Sequence, residues 1–306
     1  MFYDDDVIKH ICDYTNQYAA SKGLPSGHTI EDIRCFIGML LVSGYCQVPR
    51  VKMYWEMKDD FWNKGIVEAM PRNKFLNILR CLHVCNNNDL DPNTKFSKVS
   101  PLWKMLNKRW LKYFAGDVNL SVDESMIPHY GRHSTKQHIH GKPIRFQYKA
   151  WCLCTRFGYL DQGNLYEGAN TGNKYPEVGV GGSVVLKLCE KLPQRPDGYN
   201  LYSNNFFTSV VLLEKLAEEG HNATGTIRAN HVEKAPLSDV KSMSKMPRGS
   251  FDQLLKKIPM LLWCGTMITT LSPWRQQHVE SSLLVKYVAG VLLRTNIQVS
   301  TNHPVL

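Results

Sequence analysis

The sequence predicts an α/β protein in which a mixed sheet follows an all-helical region. Apolar residues recur at helical spacing up to about Gly116, whereas apolar and polar residues alternate from Asn119 onward. The chain has 306 residues, and 43% of them are hydrophobic, which is enough to build packed cores. These observations exclude a disordered tail and a small module held together by disulfides.

The segment that ends near Gly116 is predicted to be helical. One run with apolar residues three and four apart is Ile30, Ile33, Phe36, Ile37, Leu40 and Leu41, and a second is Phe75, Ile78, Leu79 and Leu82. Pro71 suits the start of the second helix. A polar loop over 86–98 separates this helix from another predicted over 102–114.

Strands begin at Asn119, where Leu120 and Val122 alternate with polar neighbours. Further strands are predicted over 146–155, 159–166, 199–202 and 223–227, with one helix from Val184 and another over 208–219. This order matches an RNase H-like sheet, although periodicity leaves other α/β topologies open. The polar, basic stretch over 228–257 indicates an insertion or loop, and a short hairpin is predicted over 260–271.

Neither a membrane span nor a secretory signal is predicted. The longest apolar stretches, 36–42 and 283–293, are shorter than the roughly 18 residues that a spanning helix needs. The first residues are acidic, whereas a secretory signal begins with basic ones. The 9 cysteines are an odd number at scattered positions, which fits reduced thiols. We expect an intracellular protein.

The charge of the chain favours a polyanionic partner. There are 37 Lys and Arg residues against 27 Asp and Glu, for a formal net charge of +10. No acid occurs from Ser125 to Leu160, where the cations are Arg132, Lys136, Lys142, Arg145, Lys149 and Arg156. The histidines of the same segment are His129, His133, His138 and His140. Nucleic acid is favoured over a membrane because no basic amphipathic helix stands out, but a solvated basic loop explains the pattern too.

Asp123 is the acid whose position most suggests chemistry. It ends a short predicted strand, just before Pro128 and the acid-free segment. Mg²⁺ prefers oxygen ligands, and two ions about 4 Å apart need several carboxylates to hold them. A carboxylate beside phosphate-binding cations therefore suits metal-assisted phosphoryl transfer. Glu124 should point to the opposite face of the strand, which predicts a solvated or structural acid.

Two other patterns are better explained by structure than by chemistry. Cys81, His83 and Cys85 resemble a zinc-binding spacing, but side chains two apart on a helix diverge, so we predict core packing. The glycines over 179–182 match neither common phosphate-binding fingerprint, so we predict a turn.

Several short motifs occur in order along the chain. They are TNQYA at 15–19, FIG at 36–38, FLNILRCLH at 75–83, LSVDESMIP at 120–128, GRH at 131–133, GKPIR at 141–145, NFFTS at 205–209 and ATGTIR at 223–228. Together they resemble the transposase domain of piggyBac transposable element-derived proteins and the helical region that precedes it. The resemblance extends from about Met1 to Ser250.

The resemblance implies an RNase H-like core that cuts and joins DNA with two Mg²⁺ ions held by aspartates. It also implies flanking helices for dimerisation and DNA binding. On this basis the predicted regions are a helical dimerisation and DNA-binding region at 1–118, an RNase H-like core at 119–228, a basic insertion at 229–275 and a divergent tail at 276–306.

The sequence departs from the family pattern at two of its three acids. The resemblance places the first at Asp123, but the second position is Asn204. The third should follow a Gly-Gly-Val motif, and here Gly290-Val291 is followed by Leu292. An amide is neutral, so the site loses negative charge that two divalent ions would need. After about Pro273 the family pattern is lost.

We therefore predict a nuclear, transposase-derived DNA-binding protein without transposase activity. The predicted DNA-binding residues are Arg132, Lys136, Lys142, Arg145 and Lys149. DNA is the expected partner, a homodimer stays open and no membrane is involved. No cofactor is expected, with weak Mg²⁺ binding at Asp123 only if some activity remains. The alternatives are a residual nuclease that uses Asp123 with Asp161 or Glu280, and a degenerate fragment without a DNA role.

Overall fold

The computed structural model describes residues 2–57, 63–140, 145–168, 171, 173–228, 245–247, 251–257, 261–267 and 282–287. Lys142, Glu280 and the segment 290–292 lie outside these ranges. The chain forms two compact units. The first comprises 1–115, 126–150 and 164–171, and the second comprises 116–125, 151–163 and 172–306.

Five helices confirm the prediction for the N-terminal segment. They are α1 (Asp5–Ser21), α2 (Ile30–Tyr45), α3 (Lys64–Ala69), α4 (Arg72–Cys81) and α5 (Ser100–Lys112). Asp4 caps α1, and Thr29 and Asp32 form a capping box that starts α2. Pro71 immediately precedes α4, as the sequence predicted. The buried faces of these helices share one core, which includes Ile11, Ile33, Phe36, Phe75 and Ile78.

The predicted order of strands and helices is confirmed, with one short strand added. The elements are β1 (Asn119–Pro128), β2 (Gln137–His138), β3 (Phe146–Thr155), β4 (Leu160–Leu165), α6 (Gly179–Cys189), β5 (Asn200–Ser203), α7 (Val210–Glu218) and β6 (Asn222–Arg228). In the sheet, β3 pairs with β4 and β2, and the order continues β3-β1-β5-β6. β5 runs parallel to both β1 and β6.

A row of asparagine side chains fixes how the three parallel strands align. Asn200 lies opposite Asn119 on one side and opposite Asn222 on the other. Asn200 Nδ2 donates to Asn119 Oδ1 at 3.0 Å, and Asn222 Nδ2 donates to Asn200 Oδ1 at 3.0 Å. Because register determines which residues meet farther along the strands, this row also sets the neighbours at their carboxyl ends.

Three later strands differ from the sequence prediction. They are β7 (Phe251–Lys257), β8 (Leu261–Met267) and β9 (Ser282–Tyr287). β7 pairs with β8, and β9 joins β6, both antiparallel. The prediction of a loop up to Lys257 is therefore wrong for β7. Where a hairpin was predicted over 260–271, the described residues form the single strand β8, and the divergent tail predicted over 276–306 contains β9. Backbone hydrogen bonds can form a ladder without the apolar alternation on which the prediction relied.

Among the described residues, no helix is both long and apolar enough to cross a membrane.

Candidate functional site

The carboxyl ends of β1 and β5 bring the first two predicted site positions together. The paired register ends at Val122 opposite Ser203. Asp123 continues β1 and Asn204 directly follows β5, so they lie side by side beyond the paired segment. Ligands of α/β proteins commonly bind at the carboxyl ends of parallel strands. The structure thus brings together the two residues to which the resemblance assigned the first and second acid positions.

The amide of Asn204 points its donor group at carboxylates. Its Nδ2 donates to Asp123 Oδ1 at 2.9 Å and to Glu124 Oε2 at 3.3 Å. Its Oδ1 accepts from the Phe206 backbone N–H at 2.8 Å. Only the oxygen of an amide can accept a hydrogen bond from an N–H, so the Phe206 contact fixes the amide orientation. We call Asp123, Glu124 and Asn204 the carboxylate–amide cluster.

The position of Glu124 corrects the sequence prediction. Its alternation with Asp123 predicted a solvated or structural acid on the opposite face, yet its carboxylate contacts the same Asn204 amide. Alternation governs the direction of Cβ, whereas the longer glutamate side chain can still extend toward a neighbouring strand end. The sequence signal for this role is that Glu124 directly follows Asp123, the predicted site residue.

The loop after β5 holds Asn204 from the backbone side. The Asn204 carbonyl accepts from the Phe207 and Thr208 backbone N–H groups at 3.2 Å and from Thr208 Oγ1 at 2.9 Å. Gly181 in α6 packs against this loop, and a Cβ at that position would lie 2.9 Å from Phe207 Cα. The glycine thus serves close packing, and the segment 179–182 begins α6 where a turn was predicted.

The residues of the cluster do not fit the pair of Mg²⁺ ions that the resemblance implies. A divalent ion needs oxygen acceptors directed at one point. Here the Asn204 NH₂ group stands where a cation would contact Asp123 Oδ1, and that oxygen also accepts from the Glu124 N–H at 2.8 Å. Within the described ranges, no three His, Cys, Asp or Glu side chains are grouped to hold a metal ion.

Asp161, proposed above as a substitute acid, is placed where it cannot contact a substrate. It lies in β4 with 0% of its surface exposed. Neither of its carboxylate oxygens has a hydrogen-bond partner among the described residues. Burial, assisted by the negative charge of Asp117, raises the pKa of Asp161 to about 7. The other suggested acid, Glu280, lies outside the described residues.

The predicted DNA-binding residues that the structure describes all belong to the first unit. Arg132 and Arg145 are exposed. Lys136 Nζ donates to the Gly131 carbonyl at 2.9 Å and lies 4.5 Å from the centroid of the Phe146 ring. Lys149 is half-buried, with its Nζ 5.7 Å from the centroid of the Tyr166 ring. Lys142 falls outside the described residues.

Aromatic residues accompany these cations, and the sequence prediction did not include them. The His129 ring stacks on Tyr148 with 4.3 Å between centroids, and Phe96 contacts both Tyr148 and His133 at 5.3 and 5.4 Å. The sequence signal for these aromatic residues is the alternation of Phe146 and Tyr148 along a predicted strand, which places both rings on one face.

The cysteine motif packs as predicted. Cys81 and Cys85 are buried, and the His83 ring stacks on Tyr18 with 3.5 Å between centroids. His83 Nδ1 lies 3.2 Å from the Cys81 carbonyl oxygen. These contacts bind the histidine ring to its own helix end and to α1, so the three side chains form part of the core.

The described sheet has parallel β1, β5 and β6, with an acid after the paired part of β1 and a polar residue after β5. This is the strand arrangement of an RNase H-like fold. Residues 1–292 match the family model described as "Transposase IS4". The chain belongs to the piggyBac transposase family.

Human relatives support this assignment. The chain is 46% identical over 253 residues to "PiggyBac transposable element-derived protein 3" of Homo sapiens, which covers 82% of this chain and 43% of that protein. It is 46% identical over 253 residues to the human "Chimeric ERCC6-PGBD3 protein", covering 82% of this chain and 24% of the relative. With human "PiggyBac transposable element-derived protein 2" it shares 35% identity over 270 residues, or 86% of this chain and 45% of the relative. The chain thus spans less than half the length of these relatives.

A solved structure has the same fold. The "piggyBac transposase synaptic complex with hairpin DNA" superimposes with a TM-score of 0.73 and 21% sequence identity. The match covers 94% of this chain and 59% of the solved chain. The likeness establishes the RNase H-like fold that the sequence predicted.

Proposed function

We propose that the chain is a transposase-derived protein that binds DNA and does not cut or join it. The observation that carries this proposal is the Asn204 amide, which donates to Asp123 and Glu124 in the place where a cation would have to bind. No resident metal cofactor is part of the proposed function.

Charge supports the catalytic part of the proposal. Two divalent ions bring four positive charges, and the cluster offers at most the two carboxylates of Asp123 and Glu124. An amide hydrogen already occupies part of the coordination space of both. Two-metal phosphoryl transfer needs ions that hold the attacking and leaving oxygens at once, so a site that cannot bind both ions lacks that clamp.

The acid-free basic segment supports the DNA-binding part. Arg132 and Arg145 are exposed, and among the described residues neither pairs with a carboxylate. Lys136, Lys142 and Lys149 of the same segment would add phosphate contacts. The solved relative with the same fold is a complex with DNA. A nuclear location and assembly as a homodimer belong to the same proposal.

Two measurements on the purified chain test the proposal. We expect no nicking of supercoiled plasmid in Mg²⁺ or Mn²⁺, by the wild type or by Asp123→Ala. Nicking that disappears in Asp123→Ala would refute the inactive site.

The affinity of the chain for duplex DNA should fall by about 100-fold between roughly 50 and 200 mM salt, as expected for about four phosphate contacts. Affinity that does not change with salt would refute the DNA-binding part.

A further inference from the structure

The β2–β3 strand pair carries aromatic rings among its cations. His138 lies directly opposite Phe146 in the antiparallel register, with 5.1 Å between their ring centroids. Phe146 keeps 45% of its surface exposed, and Tyr130 keeps 82%. Lys136 Nζ lies 4.5 Å from the centroid of the Phe146 ring. Tyr130 directly follows His129, whose backbone N–H donates to the Phe146 carbonyl at 3.1 Å, so it lies next to this strand pair. We call Tyr130, Lys136, His138 and Phe146 the aromatic–cationic face.

Backbone hydrogen bonds and packed rings hold this face in place. The His129 backbone N–H donates to the Phe146 carbonyl at 3.1 Å, and the Ile139 N–H donates to the Arg145 carbonyl at 2.9 Å. The stack of Phe96, His129, His133 and Tyr148 described above lies along the same segment. The strand that presents Phe146 is therefore fixed before any ligand binds, which lowers the entropy lost on binding.

Phosphate contacts do not explain the exposed rings. In an intact duplex the bases stack on one another, and a protein that reads only the backbone needs cations alone. Proteins that bind single strands combine cations with aromatic side chains, because each unpaired base offers a face for stacking. Lys136 beside Phe146 provides both groups at one position, where a stacked base and its phosphate could be contacted together.

We propose that the aromatic–cationic face binds unpaired DNA by stacking bases on Phe146 and Tyr130, with Arg132, Lys136 and Arg145 contacting the phosphates. This inference rests on the proposed function, because it assigns a substrate class to the same basic segment. The absence of any Asp or Glu from Ser125 to Leu160 leaves no carboxylate on this segment to repel the strand.

The test compares single-stranded and duplex DNA by fluorescence anisotropy. The probes are a labelled strand of about 20 nucleotides without self-complementarity, long enough for several contacts, and its duplex. The variants are Tyr130→Leu and the double variant Tyr130→Leu with Phe146→Leu, which keep apolar bulk and all cations. We expect the double variant to weaken single-strand affinity by about tenfold and to leave duplex affinity within about twofold. Phe146→Tyr should retain single-strand affinity.

Phe157→Leu is the matched control, because Phe157 is also 82% exposed and has Arg156 over its ring at 4.6 Å. It should change neither affinity.

The inference would be overturned if the double variant bound the single strand and the duplex equally more weakly, or if it weakened the binding of neither. Tyr130→Leu alone keeps the test valid if the Phe146 substitution disturbs folding, since Tyr130 is mostly exposed and should by itself weaken single-strand binding. Salt-sensitive duplex binding with unchanged single-strand affinity would contradict this inference alone, whereas no DNA binding at all would contradict the proposed function as well.

Discussion

The side chain of Asn204 differs from an aspartate by one amide group, and that group changes what Asp123 and Glu124 can bind. Its oxygen accepts from the Phe206 N–H, so its NH₂ hydrogens face the two carboxylates. The amide thereby donates hydrogen bonds to carboxylate oxygens that would otherwise coordinate a cation or accept from water. A neutral donor satisfies these acids without any ion.

Asn204→Asp should make folding stability depend on divalent ions. The substitution replaces a donor by a third carboxylate, which loses two hydrogen bonds and adds repulsion, so we expect a loss of about 1–3 kcal/mol in EDTA. Mn²⁺ should restore the melting temperature of this variant and leave that of the wild type unchanged. Asn88→Asp adds the same charge at an exposed position and should show neither effect. A variant as stable as wild type in EDTA would contradict the assigned role of the amide.

The raised pKa of the buried Asp161 carboxyl should make the folding stability of the chain depend on pH. Burial raises its pKa to about 7 in the folded chain, above the ordinary 3.8, so the folded state binds the proton more tightly than the unfolded state. Its contribution to stability is therefore complete below about pH 4 and is lost as pH rises through about 7. Asp161→Asn cannot ionise and should be more stable than wild type at pH 8 by a few kcal/mol, on the order of 1.4 per pKa unit.

Urea unfolding at pH 5 and pH 8 measures this difference. The wild type should lose more stability than Asp161→Asn between the two values. Asp197→Asn, at an exposed position, serves as the control and should follow the wild type. An identical loss in wild type and Asp161→Asn would show that this carboxyl does not carry the pH dependence.

The site was predictable from sequence only in part. The resemblance singled out Asp123 and Asn204, because one lies in the LSVDESMIP motif and the other directly precedes the NFFTS motif. Glu124 was assigned away from the site, because alternation gives the direction of a side chain and not its reach. The orientation of the Asn204 amide depends on the Phe206 N–H, a contact that no residue pattern encodes.

Helix α6 positions the loop after β5 through a glycine. A Cβ on Gly181 would lie 2.9 Å from Phe207 Cα and would contact the Phe206 carbonyl. Gly181→Ala should therefore destabilise the chain by about 1–3 kcal/mol, the usual cost of overpacking, and displace the loop that holds Asn204.

Gly38→Ala is the matched control within a helix. Nothing lies within 4 Å of a Cβ at Gly38 in α2, so alanine should be neutral or stabilise by about 0.5–1 kcal/mol through its higher helix propensity. Urea unfolding of both variants provides the comparison. A Gly181→Ala chain as stable as Gly38→Ala would show that the α6–loop contact is less tight than the packing indicates.

Sequence periodicity identified the helices and strands that bury one face in a core. The apolar rows of α2 and α4 and the alternation in β1 each reflect a side buried in a core, and all three were predicted. β7 and β9 were missed. The β7 segment mixes polar and apolar residues, the β9 segment is a short apolar run without alternation, and the place of both in the sheet depends on backbone pairing with β8 and β6.

The whole molecule combines a formal charge of +10 with an acid-free segment in which Arg132 and Arg145 are exposed. Arg132→Ala with Arg145→Ala should weaken binding to all duplex sequences similarly and lower the slope of log affinity against log salt by about 2. Lys9→Ala with Lys22→Ala removes the same charge from α1 and its C-cap and should change the slope much less. Salt titrations of both double variants measure this, and equal slopes would show that net charge alone governs binding.

The matched part of this chain covers 43% and 45% of the two human piggyBac-derived relatives, so the carboxylate–amide cluster and the basic segment belong to a part of the family scaffold. The fold is retained, since the solved transposase matches 94% of the chain. The proposed loss of catalysis thus concerns side chains at one sheet edge and not the architecture.

Calorimetric titration of Mn²⁺ into the wild-type chain, with Asp123→Ala in parallel, tests the central claim most directly. If the Asn204 amide takes the place of a cation between Asp123 and Glu124, the two titrations should coincide, with no saturable binding that depends on Asp123. Saturable binding of two ions per chain that disappears in Asp123→Ala would contradict the claim.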